Sequence, residues 1–296
     1  MSVQSSRIIA VALDERHSIK TASQAMSFAI DLAHRAEASI LAVRIRVAVG
    51  RSPQANNALD AYLAQAASTL RGSVTVRVVD KEVRPGGDDC TEEAAAAVHA
   101  AGEAFVATAA GFGAGILVTA SSRTQEPLDG LVGAIVAAAD VPTVIVPPDV
   151  QPVGDYPFHV VVALDGVPRN GHIAVQMSEL HNWFHSTISL LHVLHPGGGR
   201  VRGLPLLAHD RAAQMLQRSA ACLGARGVAP SQVHVVVRSG QTSRVIVDHL
   251  RREHATLGVL PVVTSEPGHW RPHGVTNAVL ATSHVPIVLF QASTYS

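Results

Sequence analysis

The chain has 296 residues, 47% of them hydrophobic and 16% charged, with 23 basic side chains balancing 23 acidic ones. That composition belongs to a compact globular protein of two ordinary domains, it excludes a disordered chain, and the zero net charge argues against bulk binding to nucleic acid. Two cysteines, Cys90 and Cys222, form no CxxC pair, and the N-terminus MSVQSSR carries no export signal, so no disulfide framework or cysteine zinc site is expected and a reducing cytoplasm is.

Short β-branched runs alternate with longer alanine-rich stretches at helical spacing. RIIAVALD (7 to 14), ILAVRIRVAV (40 to 49), VTVRVVDKEV (74 to 83), ILVTA (116 to 120) and PTVIVP (142 to 147) predict five strands, with helices over 20 to 37, 56 to 71, 91 to 109 and 130 to 139. Residues 104 to 122 carry no formal charge after Glu103 and have the length of a membrane span, but Gly111, Gly113 and Gly115 divide them into helix, turn and strand. PDVQPVGDYP follows, rich in proline: residues 1–148 form a first unit, 149–157 a short stiff linker and 158–296 a second unit. There HVVVALD, TISLLHVL (187 to 194), VHVVVRSG (233 to 240), TLGVLPVV (256 to 263) and PIVLFQ (286 to 291) predict strands. Helices fall near 170 to 184, 208 to 225, 243 to 254 and 275 to 282.

The second unit repeats the first. RIIAVALD returns as HVVVALD, and DGLVGAIVAAADVPTVIVP (129 to 147) as HGVTNAVLATSHVPIVLFQ (273 to 291). Strict alternation of strand and helix implies right-handed crossovers and parallel sheets covered on both faces. Each unit also leaves an apolar final strand at a sheet edge, which wants a partner. The two final strands can pair inside one chain, and a homodimer stays open.

Open parallel sheets bind ligands at the carboxyl ends of their strands, where strand order reverses. Each first strand ends there in an acid, Asp14 or Asp165. The residues leave two roles open for it: a ligand contact, or a turn acid accepting backbone N–H groups. The loops SSRTQEPLDG (121 to 130) and TSEPGHWRPHG (264 to 274) converge on the same two crevices.

The order of elements, the V-x-L-D end of the first strand, the glycine at the start of the last helix and the VP before the last strand resemble the universal stress protein family in its tandem form. The resemblance runs from about residue 5 to 292. It implies five-stranded sheets in the order 3-2-1-4-5, pairing of units through the fifth strands, and cytoplasmic roles in stress adaptation. Some members bind ATP through a loop of the form G-x-x-G, nine residues, G-[ST], whose small residues and amides wrap the phosphates.

Both copies here depart from that pattern. Aligned on the downstream VP, Asp129 and His273 stand at the last family glycine, and Gly130 and Gly274 at the Ser/Thr. Glu126 and Asp129 place carboxylates where a triphosphate would lie, and Pro127 removes an N–H donor, so the first crevice is expected to be dead for ATP. The second loop adds His269, Trp270, Arg271 and His273, cations and a stacking surface. Binding candidates are therefore Asp165, Gly166, Arg169, Gly268, Arg271 and Gly274, with Asp14 in the first crevice, and ATP stays open as a cofactor only for the C-terminal repeat.

Other signals are weaker. Thirteen of the 16 histidines lie in the second unit, and His181 and His185 share a helix face near Glu179, but no HExxH accompanies them and structural or solvated histidines are the expectation. No GxSxG or GxGxxG follows a first strand, and GFGAG (111 to 115) precedes its strand. The glycine-rich stretch 195 to 207 reads as a mobile cover over the second crevice. The expectation is a non-enzymatic binding module, acting on an unidentified protein partner or small ligand and not on nucleic acid or membrane; a nucleotide-binding regulator is the alternative.

Overall fold

The computed structural model describes residues 7–14, 19–47, 61–63, 76–83, 92–121, 130–150, 153, 157–165, 170–195, 205–262 and 274–291. The first half contains β1 (Ile8–Asp14), α1 (Ile19–Ala36), β2 (Ser39–Val47), β3 (Val76–Val83), α2 (Glu92–Gly111), β4 (Ile116–Ala120), α3 (Leu131–Ala138) and β5 (Thr143–Val146). The second contains β6 (His159–Leu164), α4 (Asn170–Phe184), β7 (Thr187–Leu194), α5 (Pro205–Gly224), β8 (Val233–Ser239), α6 (Thr242–Arg252), β9 (Leu257–Val262), α7 (Gly274–Thr282) and β10 (Ile287–Gln291). Of the helix predicted over 56 to 71 only residues 61–63 are described, and they are helical. The stretch read as a membrane-length segment is the end of α2, a turn through Gly113 (φ 74°) and β4. Among the described residues no helix is long and apolar enough to cross a membrane.

The strands form one ten-stranded sheet in the order β3-β2-β1-β4-β5-β10-β9-β6-β7-β8. Each half has the order 3-2-1-4-5, and all pairs within a half are parallel. The joint between halves is β5 against β10, antiparallel, with Ile145 opposite Ile287, Val144 opposite Val288 and Thr143 opposite Leu289. Val144 and Val288 are equivalent in the repeat, PTVIVP against PIVLFQ, so each faces its own counterpart. An internal pseudo-two-fold axis therefore passes through that pair, the isologous geometry of a symmetric dimer built into one chain.

Strand parity sorts the core. Ile9, Val11 and Leu13 of β1 point to one face, Ala10 and Ala12 to the other, all of them buried. On the first face α1 lays down Ala22, Ala25, Met26, Ala29, Leu32, Ala33 and Ala36, a stripe of helical spacing. That layer continues without a break through Val144 and Val288 to Met177 of α4 and Leu216 of α5. On the opposite face two separate clusters lie under α2 and α3 and under α6 and α7.

Side chains also bind the halves together. Arg7 donates to Ala36 O at the end of α1 and to Asn182 O at the end of α4, each at 3.0 Å, and its guanidinium sits 5.7 Å from the Trp183 ring centroid. A cation suits both helix C-termini, where carbonyls lack intrahelical partners. Gly115 gives Trp183 its room: a Cβ there would lie 2.7 Å from the indole. The start of the linker runs along α1, where Gln24 Nε2 donates to Pro148 O and Asp31 Oδ2 accepts the Val153 N–H at 3.2 Å. Burial raises the Asp31 carboxyl above its ordinary value, and the Val153 N–H opposes that shift.

Candidate functional site

The parallel topology puts a crevice in each half between the carboxyl ends of the first and fourth strands, β1 with β4 and β6 with β9, where strand order reverses. In the first crevice Asp14 ends β1 and is 4% exposed. Ser121, just past β4, is buried and donates its N–H to Val146 O at 2.9 Å. Arg44 of β2 stands beside Leu13 in register and is 7% exposed, an unusual depth for a guanidinium. Gly130 opens α3 with φ of 69°, a left-handed value that favours glycine, and no side chain caps that helix.

The second crevice differs at the same positions. Asp165, which follows β6, is exposed. His192 takes the place of Arg44, in register with Leu164, and its Nδ1–H donates to Leu164 O at 2.8 Å. That bond fixes the tautomer and leaves Nε2 as the acceptor of the neutral ring. Gly274 is the exposed first residue of α7, and a Cβ there would meet nothing within 4 Å.

Of the seven binding candidates, Asp14, Asp165 and Gly274 are thus placed at the carboxyl side of the sheet. Gly166, Arg169, Gly268 and Arg271 lie outside the described residues, as do Glu126, Asp129, Trp270 and His273 and most of the glycine-rich stretch 195 to 207. Arg44 and His192 were not readable as site residues, because strand register decides their position. A trace was present in the sequence: each is a polar interruption late in an otherwise apolar second strand, SILAVRIRV and TISLLHVL.

Among the described histidines of the second half, His181 and His249 are buried, whereas His185, His195, His209, His234, His254 and His284 are exposed. His181 is buried and donates from Nδ1 to Ser186 O at 2.8 Å, and His185 takes the left-handed conformation (φ 48°) just after α4. Among the described residues no group of three or more His, Cys, Asp or Glu side chains is placed to hold a metal ion. Another cluster gathers at the opposite, amino end of the sheet. There His159 bridges Glu253 O (3.1 Å) and Ser189 Oγ (2.9 Å), and His249 of α6, 4% exposed, has Nδ1 3.8 Å from Glu253 Oε1 while its Nε2 is buried without a hydrogen-bond partner.

Burial holds the His249 imidazole below its ordinary value; Glu253 opposes this, and Arg238, His159 and Arg252 add to it. The unfolded chain therefore binds this proton more readily than the folded one. Its contribution to stability is complete above the unfolded value of 6.5 and is lost as pH falls through it toward the folded value. The melting temperature should drop between roughly pH 7.5 and pH 5, and His249→Gln should flatten that slope. Equal slopes in the two proteins would show that His249 does not carry the effect.

A model described as the universal stress protein family matches residues 158–291. No curated protein matches the chain. Among solved structures, a universal stress protein from Archaeoglobus fulgidus DSM 4304 superposes with a TM-score of 0.59 at 13% identity, covering 96% of this chain and 97% of that one. A functionally unknown protein from Pseudomonas aeruginosa PAO1 gives 0.59 at 12% identity, covering 98% and 94%. At such identities the likeness to the solved structures is one of fold, extending over both halves. The second half of the chain, residues 158–291, is a universal stress protein domain, and the first half joins it as a second copy of the same fold, the tandem two-domain form.

Proposed function

We propose that this chain is a non-enzymatic, cytoplasmic stress-response protein that works by binding a partner or small ligand, with ATP loops degenerate in both halves. The observation that carries this reading is the composition of the two crevice loops. Neither 121–130 nor 264–274 has the paired glycines of a phosphate cradle, and Glu126, Pro127 and Asp129 in one and Glu266, Pro267 and Pro272 in the other supply carboxylates and imino nitrogens instead of amide donors. No acid or base in the sequence is paired with a working cradle, so turnover of a nucleotide has no machinery to rest on.

A second reading keeps a nucleotide site in the C-terminal half alone. Two observations favour it over a site in the first half: the family model matches only residues 158–291, and Asp165 is exposed where Asp14 is buried. Isothermal titration of ATP, with and without magnesium, separates the readings. The first expects no heat and no thermal shift at millimolar ATP. Under the second, ATP at a hundred times its Kd would stabilise the fold by about 2.7 kcal/mol, and Arg271→Ala would abolish both heat and shift.

A further inference from the structure

The zero net charge conceals two halves of opposite sign. Residues 1–157 hold 12 basic and 17 acidic side chains, a formal −5, whereas residues 158–296 hold 11 arginines, no lysine and 6 acids, a formal +5. The positive charge concentrates at one end of the sheet. Between Pro205 and His254, the span of α5, β8 and α6, there are seven arginines against Asp210, Asp248 and Glu253. All seven are exposed, among them Arg218 on α5, Arg238 on β8 and Arg252 on α6. Asp248 partly neutralises two of the others, lying 4.0 Å from Arg244 and 3.3 Å from Arg251.

The same end carries an open strand. β8 is the last strand of the sheet on its side, paired with β7 on one edge and with no described strand on the other. Its seven residues, VHVVVRS, contain no proline or glycine, and Val235 is 36% exposed. Natural edge strands are ordinarily blunted by proline, a bulge, charged side chains or a covering segment, and of these β8 carries an exposed charge, Arg238. Here α5 and α6 pack against β8 from the two faces, all three elements carry exposed arginines and, among the described residues, no strand covers the outer edge of β8.

We propose that the outer edge of β8 is a docking site for an extended acidic polypeptide segment, which adds as an eleventh strand while its carboxylates meet the arginines of α5, β8 and α6. This rests on the reading of the chain as a binding module and names where and what it binds. Strand addition supplies affinity through main-chain hydrogen bonds, and alternate side chains supply the charge match. A peptide fits better than nucleic acid for a physical reason: residues 205–254 contain no Phe, Tyr or Trp, so no ring is available there for base stacking, whereas the strand edge offers what only a peptide backbone returns.

Fluorescence anisotropy with the full chain tests this, using a labelled peptide of about nine residues that alternates glutamate with valine, the length matched to β8. Saturable binding is expected at low salt. It should weaken roughly tenfold or more in Arg238→Glu and at about 0.3 M salt, and should disappear when alternate peptide nitrogens are N-methylated. Arg77→Glu, on the opposite sheet edge, should leave it unchanged, and equal melting temperatures would show that both variants fold. Absence of binding, equal binding of the N-methylated peptide, indifference to Arg238→Glu, or tighter binding of an oligothymidylate of equal charge would each overturn the proposal. The ATP titration repeated on Arg238→Glu reports on the crevices independently, so failure at the edge is distinguishable from failure of the binding-module reading.

Discussion

Val288→Asp should unfold the centre of the molecule. Val288 is fully buried, lies opposite Val144 on the pseudo-two-fold axis and belongs to the apolar layer shared by both halves. A carboxyl group introduced there meets neither water nor a cation. It must either remain charged at a prohibitive desolvation cost or take up a proton and still lack a hydrogen-bond partner. Losses above about 4 kcal/mol are typical of such a change, which for a protein of this size lowers the melting temperature by roughly 8 °C or more. Because Val144 is its counterpart, Val144→Asp should cost a similar amount, and the double variant less than the sum, since one broken joint cannot be broken again. Calorimetry that found the melting temperature of Val288→Asp within a degree or two of the parent would mean that β5 and β10 do not pair in solution.

Gly102→Val is the second large effect. Gly102 lies in α2 where that helix meets α3, and a Cβ there would stand 2.5 Å from Ala134 Cβ and 3.0 Å from both Ala134 C and Ile135 N. Two of those three atoms belong to the backbone of the facing helix, so no rotamer change relieves the clash and the helices must separate. Overpacking of this kind costs about 3 kcal/mol, and the β-branched side chain has no helix preference large enough to offset it. Urea denaturation measures the loss. The diagnostic comparison is Gly102→Ala, which on helix propensity alone should stabilise α2 by about 1 kcal/mol and on packing should destabilise it. Ala134→Gly in the same chain should restore part of the loss by removing the nearest obstacle. A gain in stability for Gly102→Ala alone would show that the helices are further apart than the close contact implies.

Much of the fold was legible because the inner strands are buried on both faces. A strand such as β1, IIAVALD, with only Ile8 partly exposed, is apolar as far as its terminal aspartate, and that run stands out between polar turns. The repeat then allowed weaker segments to be read against stronger ones: β10 is recognisable from β5, and α7 from α3, because each copy ends in the same helix, VP and apolar strand. The site was legible only to the level of its acids. Asp14 and Asp165 close the same V-x-L-D segment, yet one is buried and the other exposed. Exposure of a strand-end residue depends on neighbours brought from distant segments, and nothing local to either aspartate records it.

What the sequence determined by itself is the architecture of one unit, repeated: apolar periods of a parallel sheet, helices of the right length to cross over it, and turn residues that end each element. These are local properties, decided by burial and backbone preference within a dozen residues. The apolar final strands were legible as partners, but only the tertiary structure decided that they pair within one chain, in which direction and in which register. The antiparallel joint through Val144 and Val288, the Arg7 side chain reaching the ends of α1 and α4, and the register that sets Arg44 in one crevice and His192 in the other all join residues 28 to 175 positions apart. Contacts over such separations leave no period in the chain, since each is fixed by the packing of two surfaces that exist only after both have folded.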